Sequence, residues 1–536
     1  MEGVIRRSGV WSLGGWLVAA AVLLLVRVAS NGFTLGIAHD SFQYLGAADQ
    51  ALQGNFGATS IVHFDAERSF GRLPAPLVTF PLGYPALLAT VSLSGMPVMR
   101  AALLINMAAL LSCVAIGWWL TGKLALRRGI RHAVIAAIIC NGAIQQFAAT
   151  ASTEMTFTLL VLAAAALLLR ARLAGRDPRW WIAAGLALGL SYHVRYAGLF
   201  LIVGLFGLAA RHLLARRRVL VVGYGLAAAT ASLLVLAGIA RNVLLVGNWR
   251  GGNEKAVTNS LDGVLVLTAR AANGLLLGPP GTAPHLSLVL RLAFVACAVI
   301  AAVMLWRRLS SRTPTHPAEE RDFTIDVVLL VGVYSAFMFY AALTTVISYG
   351  TRMFVPVLPL LAVVLGSWLS HRASPDGALG FRRAPALVAA FGLYLAANGI
   401  SFGNPLVDRA SVVQAQLDAR TGSGNTIRQL IDATGPGVVV ANHGQALGFL
   451  LARPTVSLVS PHYSNKLWDQ ETLQDVVNQY SAVVLVITAP SEAQPSSTDL
   501  IPSPFIDSLA RGSAASWLRL AGQSGPVFVY VPMAQR

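Results

Sequence analysis

Eleven apolar stretches, each long enough or nearly long enough to cross a bilayer, limit what this chain can fold into more than any other feature. They fall at about 12–30, 99–121, 132–150, 154–170, 180–194, 196–210, 219–239, 286–305, 325–346, 354–370 and 384–400. A hydrocarbon core about 30 Å thick takes roughly 20 helical residues. Within it only helices and closed barrels satisfy every backbone polar group. The chain therefore reads as a polytopic α-helical membrane protein with about eleven transmembrane helices. Composition agrees, since 55% of the 536 residues are hydrophobic and only 12% are charged, against roughly a quarter charged in soluble domains. The first run, "VIRRSGVWSLGGWLVAAAVLLLVRVA", is built like a signal sequence, but no small-residue cleavage site follows and it reads as a retained first span.

The formal charge of +17 (40 Lys and Arg against 23 Asp and Glu) raises nucleic acid as a partner, and the distribution of charge excludes it. With the N-terminus cytoplasmic, alternate loops carry Arg6 and Arg7, "KLALRRGIR", "RARLAGRDPR", "RHLLARRR", "WRRLSSRTPTHPAEER" and "HRASPDGALGFRR". These segments hold 21 of the 40 basic residues, the positive-inside pattern of a membrane topology. Cys113, Cys140 and Cys297 lie within apolar runs with no CxxC spacing, and read as buried thiols.

Three segments interrupt the alternation of spans and short loops: a first external loop at 31–98, a second at 240–285, and a tail after about 402. In the tail, "GVVVAN", "TVSLVS", "SAVVLVIT" and "GPVFVYVPM" read as strands, while "GNTIRQLIDAT", "GQALGFLLA" and "ETLQDVVNQY" read as helices. That alternation predicts a small three-layer α/β domain. The expected domains are thus a transmembrane part, 1–402, and an extracytoplasmic soluble α/β domain, 403–536. No internal repeat is evident, which argues against an inverted-repeat transporter.

Ionisable and aromatic side chains collect at the span ends on the sparsely charged side. Asp40 and Tyr44 follow the first span, and Glu154 in "TASTEMTF" opens the fourth. His193, Arg195 and Tyr196 lie in "YHVRYAGL", Arg241 and Asn242 follow the seventh span, and Tyr349 and Arg352 precede the tenth. Such a cluster suits a substrate whose charged head lies among the lipid headgroups, because a guanidinium fork binds two phosphate oxygens and keeps its charge. Each residue also has a plainer reading. Asp40 suits a helix N-cap, and Glu154 suits a cap or an ion pair. The arginines suit interfacial anchors, and the tyrosines suit an aromatic belt. Arg27, inside the first span, either lines a cavity or snorkels outward. "HFDAER" sets His63, Asp65 and Glu67 at alternating positions, as a divalent-metal site or as a solvated loop.

The order of these pieces carries a resemblance. An Asp just after span one is followed by "YLGAADQALQGN", "FPLGYPALLA", "TASTEMTFTLLVLAAAALL", "RYAGL", "ARNVLLVGNWRGG" and "TRMFVPVLPLL". Over residues 10 to 400 this resembles the C-type membrane glycosyltransferases, above all the protein-mannosyltransferase and aminoarabinose-transferase group. The resemblance implies transfer of a sugar from a polyprenyl-phosphate donor to a lipid, glycan or protein acceptor on the extracytoplasmic face. It makes Asp40 the catalytic base, and the cluster at the span ends offers Glu154 as a second catalytic acid. Tyr44, His193, Arg195, Tyr196, Arg241, Asn242, Tyr349 and Arg352 become candidate substrate contacts. Relatives often carry a second acid directly beside the first; here that neighbour is Ser41, so no metal or other cofactor is expected at Asp40. The Ala-, Arg- and Leu-rich composition points to a bacterial cytoplasmic membrane. Two other function classes compete: a transporter or flippase for a lipid-linked saccharide, and a non-catalytic envelope assembly protein.

Overall fold

The computed structural model describes residues 2–63, 71–175, 177–249, 258–277, 318–345, 349–372, 408–459, 467–489 and 503–533, with Ser69, Gly251, Ile501 and scattered positions between 391 and 406. The expected span at 286–305, most of that at 384–400, and Cys297, Asp65 and Glu67 lie outside the described residues.

In chain order the first part forms α1 (Glu2–Ala29), α2 (His39–Leu52), β1 (Ala58–Thr59), β2 (Ile61–Val62), β3 (Ala75–Pro76), α3 (Gly83–Ser92), α4 (Val98–Lys123), α5 (Arg128–Ile139) and α6 (Gly142–Ala148). Then come α7 (Glu154–Leu173), α8 (Pro178–Val194), α9 (Gly198–Leu214), α10 (Arg218–Val246), α11 (Leu261–Leu277), α12 (Ala318–Thr344) and α13 (Leu358–Arg372). The tail forms α14 (Arg409–Asp418), α15 (Ile427–Asp432), β4 (Val438–Ala441), α16 (Gly444–Leu451), β5 (Thr455–Ser457), α17 (Gln470–Gln479), β6 (Ala482–Thr488), α18 (Pro504–Leu509), β7 (Leu518–Ser524) and β8 (Val527–Pro532). By contacts the chain divides into two units. The first is Met1–Leu35, Ala102–Gly238 and Thr258–Leu406; the second is Gly36–Ala101, Ile239–Val257 and Val407–Arg536.

The first unit is helical. Six helices among the described residues, Ser12–Ala29, Val98–Lys123, Glu154–Leu173, Arg218–Val246, Glu320–Thr344 and Thr351–Ser370, are long and apolar enough to cross a membrane. The run at 132–150 departs from the expected continuous span: α5 stops at Ile139 and α6 begins at Gly142. Asn141 causes the break. Its Oδ1 caps α6 by accepting from the Ile144 amide at 3.0 Å, and its Nδ2 donates to the Leu275 carbonyl of α11 at 2.7 Å. Residues 240–285 also differ from an open loop, because α10 continues to Val246 and α11 adds 17 helical residues. Arg241 and Asn242 therefore sit in the last turns of α10. Arg27 does not snorkel outward, as only 3% of its surface is exposed.

The second unit is built on a six-stranded sheet in the order β2-β5-β4-β6-β8-β7. The first four strands run parallel and the last two pair antiparallel. Successive strand residues face opposite sides, and two cores result. Val440, Leu485 and Tyr530 pack under α17 and α18, whereas Val439, Val484 and Val529 pack under α14, α15 and α16. This is the three-layer arrangement expected of the tail, plus a strand from far away. β2 belongs to the segment read as the first external loop, and Ile61 and Val62 pair with Thr455 and Val456. Phe42 of α2 joins the second core, with its ring 5.7 Å from that of Phe449.

Candidate functional site

A short connection makes α7 and α8 antiparallel neighbours, which brings the start of one to the end of the other. Glu154 is the first residue of α7 and Arg195 caps α8, so a carboxylate sits at a helix N-terminus and a guanidinium at a helix C-terminus. Both placements complement the helix dipoles. The two side chains form a buried ion pair, 3% and 11% exposed. Arg195 also donates to Thr153 Oγ1 at 3.0 Å and reaches Met353 Sδ at 3.5 Å. The α8–α9 turn that aims Arg195 requires a glycine: a Cβ on Gly198 would stand 2.5 Å from the Tyr192 amide nitrogen.

The turn ahead of Glu154 is anchored from α4. Asn106, fully buried, donates through Nδ2 to the carbonyls of Ala148 and Thr150 at 3.1 and 2.7 Å. Asn106→Ala is expected to lower stability by about 1–3 kcal/mol, because two buried carbonyls lose their donor; thermal unfolding in detergent measures it.

Met353 lies in the 3-10 turn Thr351–Met353 that also carries Arg352. Tyr334 of α12 donates to the Met353 carbonyl at 2.7 Å. Tyr349 shares a hydrogen bond with Thr268 of α11 at 3.1 Å and meets the Phe354 ring edge-on at 5.8 Å. Burial pushes the Tyr349 phenol above its ordinary range, and the bond to Thr268 partly offsets this. His193 and Tyr196 serve packing in the same unit. The His193 ring bonds the Leu234 carbonyl at 2.9 Å, bracing α8 on α10, and Tyr196 leans on Tyr192 at 5.3 Å.

The remaining candidates belong to the second unit. Asp40 lies in the first turn of α2, but it is not the N-cap. Ala38 holds that position, and its amide donates to Ser41 Oγ at 3.0 Å. The capping reading of Asp40 is thereby corrected: Ser41 takes that task and is fully buried in doing so. Tyr44 is buried, not interfacial, with Phe80 and Tyr84 edge-on at 5.2 and 5.5 Å. Arg241 donates to the Gly57 carbonyl at 3.1 Å, and Asn242 is buried beside Gly251. A Cβ on Gly251, which adopts φ +74°, would meet the Val78 carbonyl oxygen at 2.2 Å. Gly251→Ala is expected to cost about 2–4 kcal/mol through strain and overlap, read as a drop in unfolding temperature.

The structure thus pairs Glu154 with Arg195 and sets Met353 and Arg352 on one turn beside them. Asp40, Tyr44, Arg241 and Asn242 stand in the other unit. Sequence reasoning missed Thr153, Tyr334, Asn106 and Met353; only Asn106, a polar residue inside an apolar run, carried a signal. Among the described residues no group of three or more His, Cys, Asp or Glu side chains has the spacing of a metal site.

No protein-family model matches the sequence, and no curated protein matches it significantly. Solved structures do match. ArnT from Cupriavidus metallidurans bound to undecaprenyl phosphate is similar with a TM-score of 0.55 at 14% identity, over 97% of this chain and 98% of that one. The archaeal oligosaccharyltransferase AglB from Archaeoglobus fulgidus, in complex with an inhibitory peptide and a dolichol-phosphate, gives 0.51 at 13% identity, over 89% of this chain and 69% of that one. Arabinofuranosyltransferase AftD from mycobacteria gives 0.50 at 15% identity, covering 97% of this chain and 41% of that one. These likenesses give the chain the fold of the C-type membrane glycosyltransferases, and its described residues form a polytopic helical part and a C-terminal α/β part.

Proposed function

We propose that the protein is a membrane glycosyltransferase that moves one sugar from a polyprenyl-phosphate donor to a hydroxyl-bearing acceptor on the extracytoplasmic face of a bacterial cytoplasmic membrane. The observation that carries this reading is the fold similarity to ArnT across nearly the whole of both chains. The placement of Asp40 on the first turn of α2, directly after the first span, adds support. In this reading the acceptor hydroxyl gives its proton to Asp40 as its oxygen attacks the anomeric carbon. The bond from that carbon to the phosphate oxygen breaks, and the lipid phosphate departs with the electron pair. A positioned carboxylate base contributes about 10²–10⁴ in rate. Arg241, in the same unit as Asp40, would help to neutralise the leaving phosphate, contributing on the order of 3 kcal/mol; Arg195 and Arg352 are the candidate phosphate contacts of the other unit. Glu154 then serves to hold the Arg195 guanidinium in place. The orientation follows the basic loops, with the N-terminus cytoplasmic and the α/β domain outside. No metal is invoked, since Ser41 stands where a second acid would help to hold one.

The test is transfer from a panel of polyprenyl-phosphate sugars by the purified protein in lipid nanodiscs, with acceptors of lipid, glycan and peptide type. Turnover of one donor with inversion at the anomeric carbon is expected. No turnover of any donor would sink the enzyme reading, and retention would rule out the single displacement.

A further inference from the structure

Part of the first external loop is not written like a segment that faces water. Residues 73–99 include no Asp, Glu, Lys, Arg or His, although Arg72 and Arg100 stand on either side. A stretch of that length in a soluble domain would carry about six charges. α3 lies within it and is only 10 residues long, about 15 Å at helical rise and half of what a bilayer crossing needs. One side of α3 is buried through Tyr84, Pro85, Leu88, Ala89 and Ser92. There Tyr84 meets the Tyr44 ring of α2 edge-on at 5.5 Å, and Tyr44 is one turn beyond Asp40. The other side turns Leu87 and Thr90 outward with half-buried Val91, and Leu93, just past the helix, is 76% exposed.

Both ends of this segment are tied to spans. α4 begins at Val98, six residues after the last residue of α3. At the other end Leu82, directly ahead of α3, lies against Gly57, where a Cβ would stand 3.4 Å from the Leu82 Cδ1. The Gly57 carbonyl is the one that accepts from Arg241. Arg241 lies 23 residues along α10 from Arg218, about 34 Å at helical rise, just past a hydrocarbon core of about 30 Å. Leu244, one turn further, is 85% exposed, and Trp249 and Phe56 are exposed as well. Tryptophan collects at the membrane–water interface. The uncharged surface of α3 thus runs between the exits of two spans, at a depth where lipid already surrounds the exposed leucines of α10.

We propose that α3 lies along the outer leaflet as an in-plane anchor, with Leu87, Val91, Leu93 and Phe56 against lipid acyl chains and its buried side holding α2. The lipid contact rests on these residues alone. Its consequence rests also on the glycosyltransferase reading: through Tyr84 and Tyr44, α3 keeps Asp40 at the headgroup depth of a lipid-carried donor.

Photolabelling tests the contact without reference to activity. The wild-type chain is placed in nanodiscs of phosphatidylcholine with a diazirine on the acyl chain, irradiated and digested with trypsin. Cleavage at arginine yields peptides 73–100 and 242–250, the second reporting lipid around Leu244. Adducts on Leu87, Val91 or Leu93 are the expected result, together with adducts on 242–250. Absence of adducts from residues 82–93 overturns the anchor, whether water, a second copy or another protein covers α3 instead. In the transfer assay, Leu93→Glu is expected to raise the donor KM roughly tenfold, whereas Leu93→Phe keeps the parent value. The exposed position leaves the unfolding temperature in detergent unchanged in both. Should Leu93→Glu fail to fold, Leu93→Gln carries the same test. An unchanged donor KM overturns the role of α3 in placing α2 and leaves the enzyme reading standing. Acyl adducts on α3 with no transfer from any donor do the reverse.

Discussion

Replacing Asp40 by Asn is expected to lower kcat for sugar transfer by about 10²–10⁴-fold, with the donor KM little changed. The amide keeps the size of the carboxylate but cannot take the proton of the attacking hydroxyl. The start of α2 is secured by Ser41, whose hydroxyl accepts from the Ala38 amide, so losing the carboxylate does not uncap the helix. The helix N-terminus loses the attraction of a first-turn acid, about 0.3–1 kcal/mol. Full activity in Asp40→Asn would remove it as the base. Activity lost together with folding would make Asp40 a structural residue.

Asp326→Ala is expected to be the most destabilising single change in the helical unit, at about 3–5 kcal/mol, measured by thermal or denaturant unfolding in detergent. Asp326 lies on α12, and its carboxylate, 2% exposed, collects donors from three other helices. Tyr224 of α10 donates at 2.6 Å and His212 of α9 at 2.9 Å. Arg172 of α7 lies at 3.3 Å, and Arg211 of α9 forms a further ion pair with it. Removing the acid leaves the Arg172 guanidinium, 5% exposed, with its charge uncompensated in a low-dielectric interior, the situation that makes breaking a buried pair costly. Arg172 is 18 residues along α7 from Glu154, about 27 Å at helical rise, close to the hydrocarbon thickness. The two ion clusters thus fasten opposite ends of α7. Asp326→Asn, which keeps an acceptor for Tyr224, should cost less than Asp326→Ala. A variant Asp326→Ala as stable as the parent would show that the network contributes nothing net.

Much of this arrangement is legible along the chain and some of it is not, and the division follows sequence separation. The spans announce themselves because a helix in hydrocarbon must be apolar for about 20 consecutive residues, a local property. The tail's strands and helices are equally local, since periods of 2 and 3.6 are set by neighbours. Asp40 stood out because it is an acid beside a long apolar run. The break at Asn141 escaped notice because a capping side chain inside an apolar stretch alters hydropathy very little. Asp326 escaped for the opposite reason: a single acid just inside a span looks like the edge of a loop until His212, Tyr224 and Arg172 are brought to it.

By itself, then, the sequence determined a polytopic helical membrane chain with an α/β tail, and an acid at the start of the helix after the first span. Only the tertiary structure decided that Ile61 and Val62 pair with strand residues almost 400 positions away, that Glu154 is committed to Arg195, and that Ser41, not Asp40, caps α2. Spans and periodicities are written in consecutive residues, whereas partners for a strand edge or a buried charge come from whichever distant segment meets the hydrogen-bonding and charge requirements at that point in space.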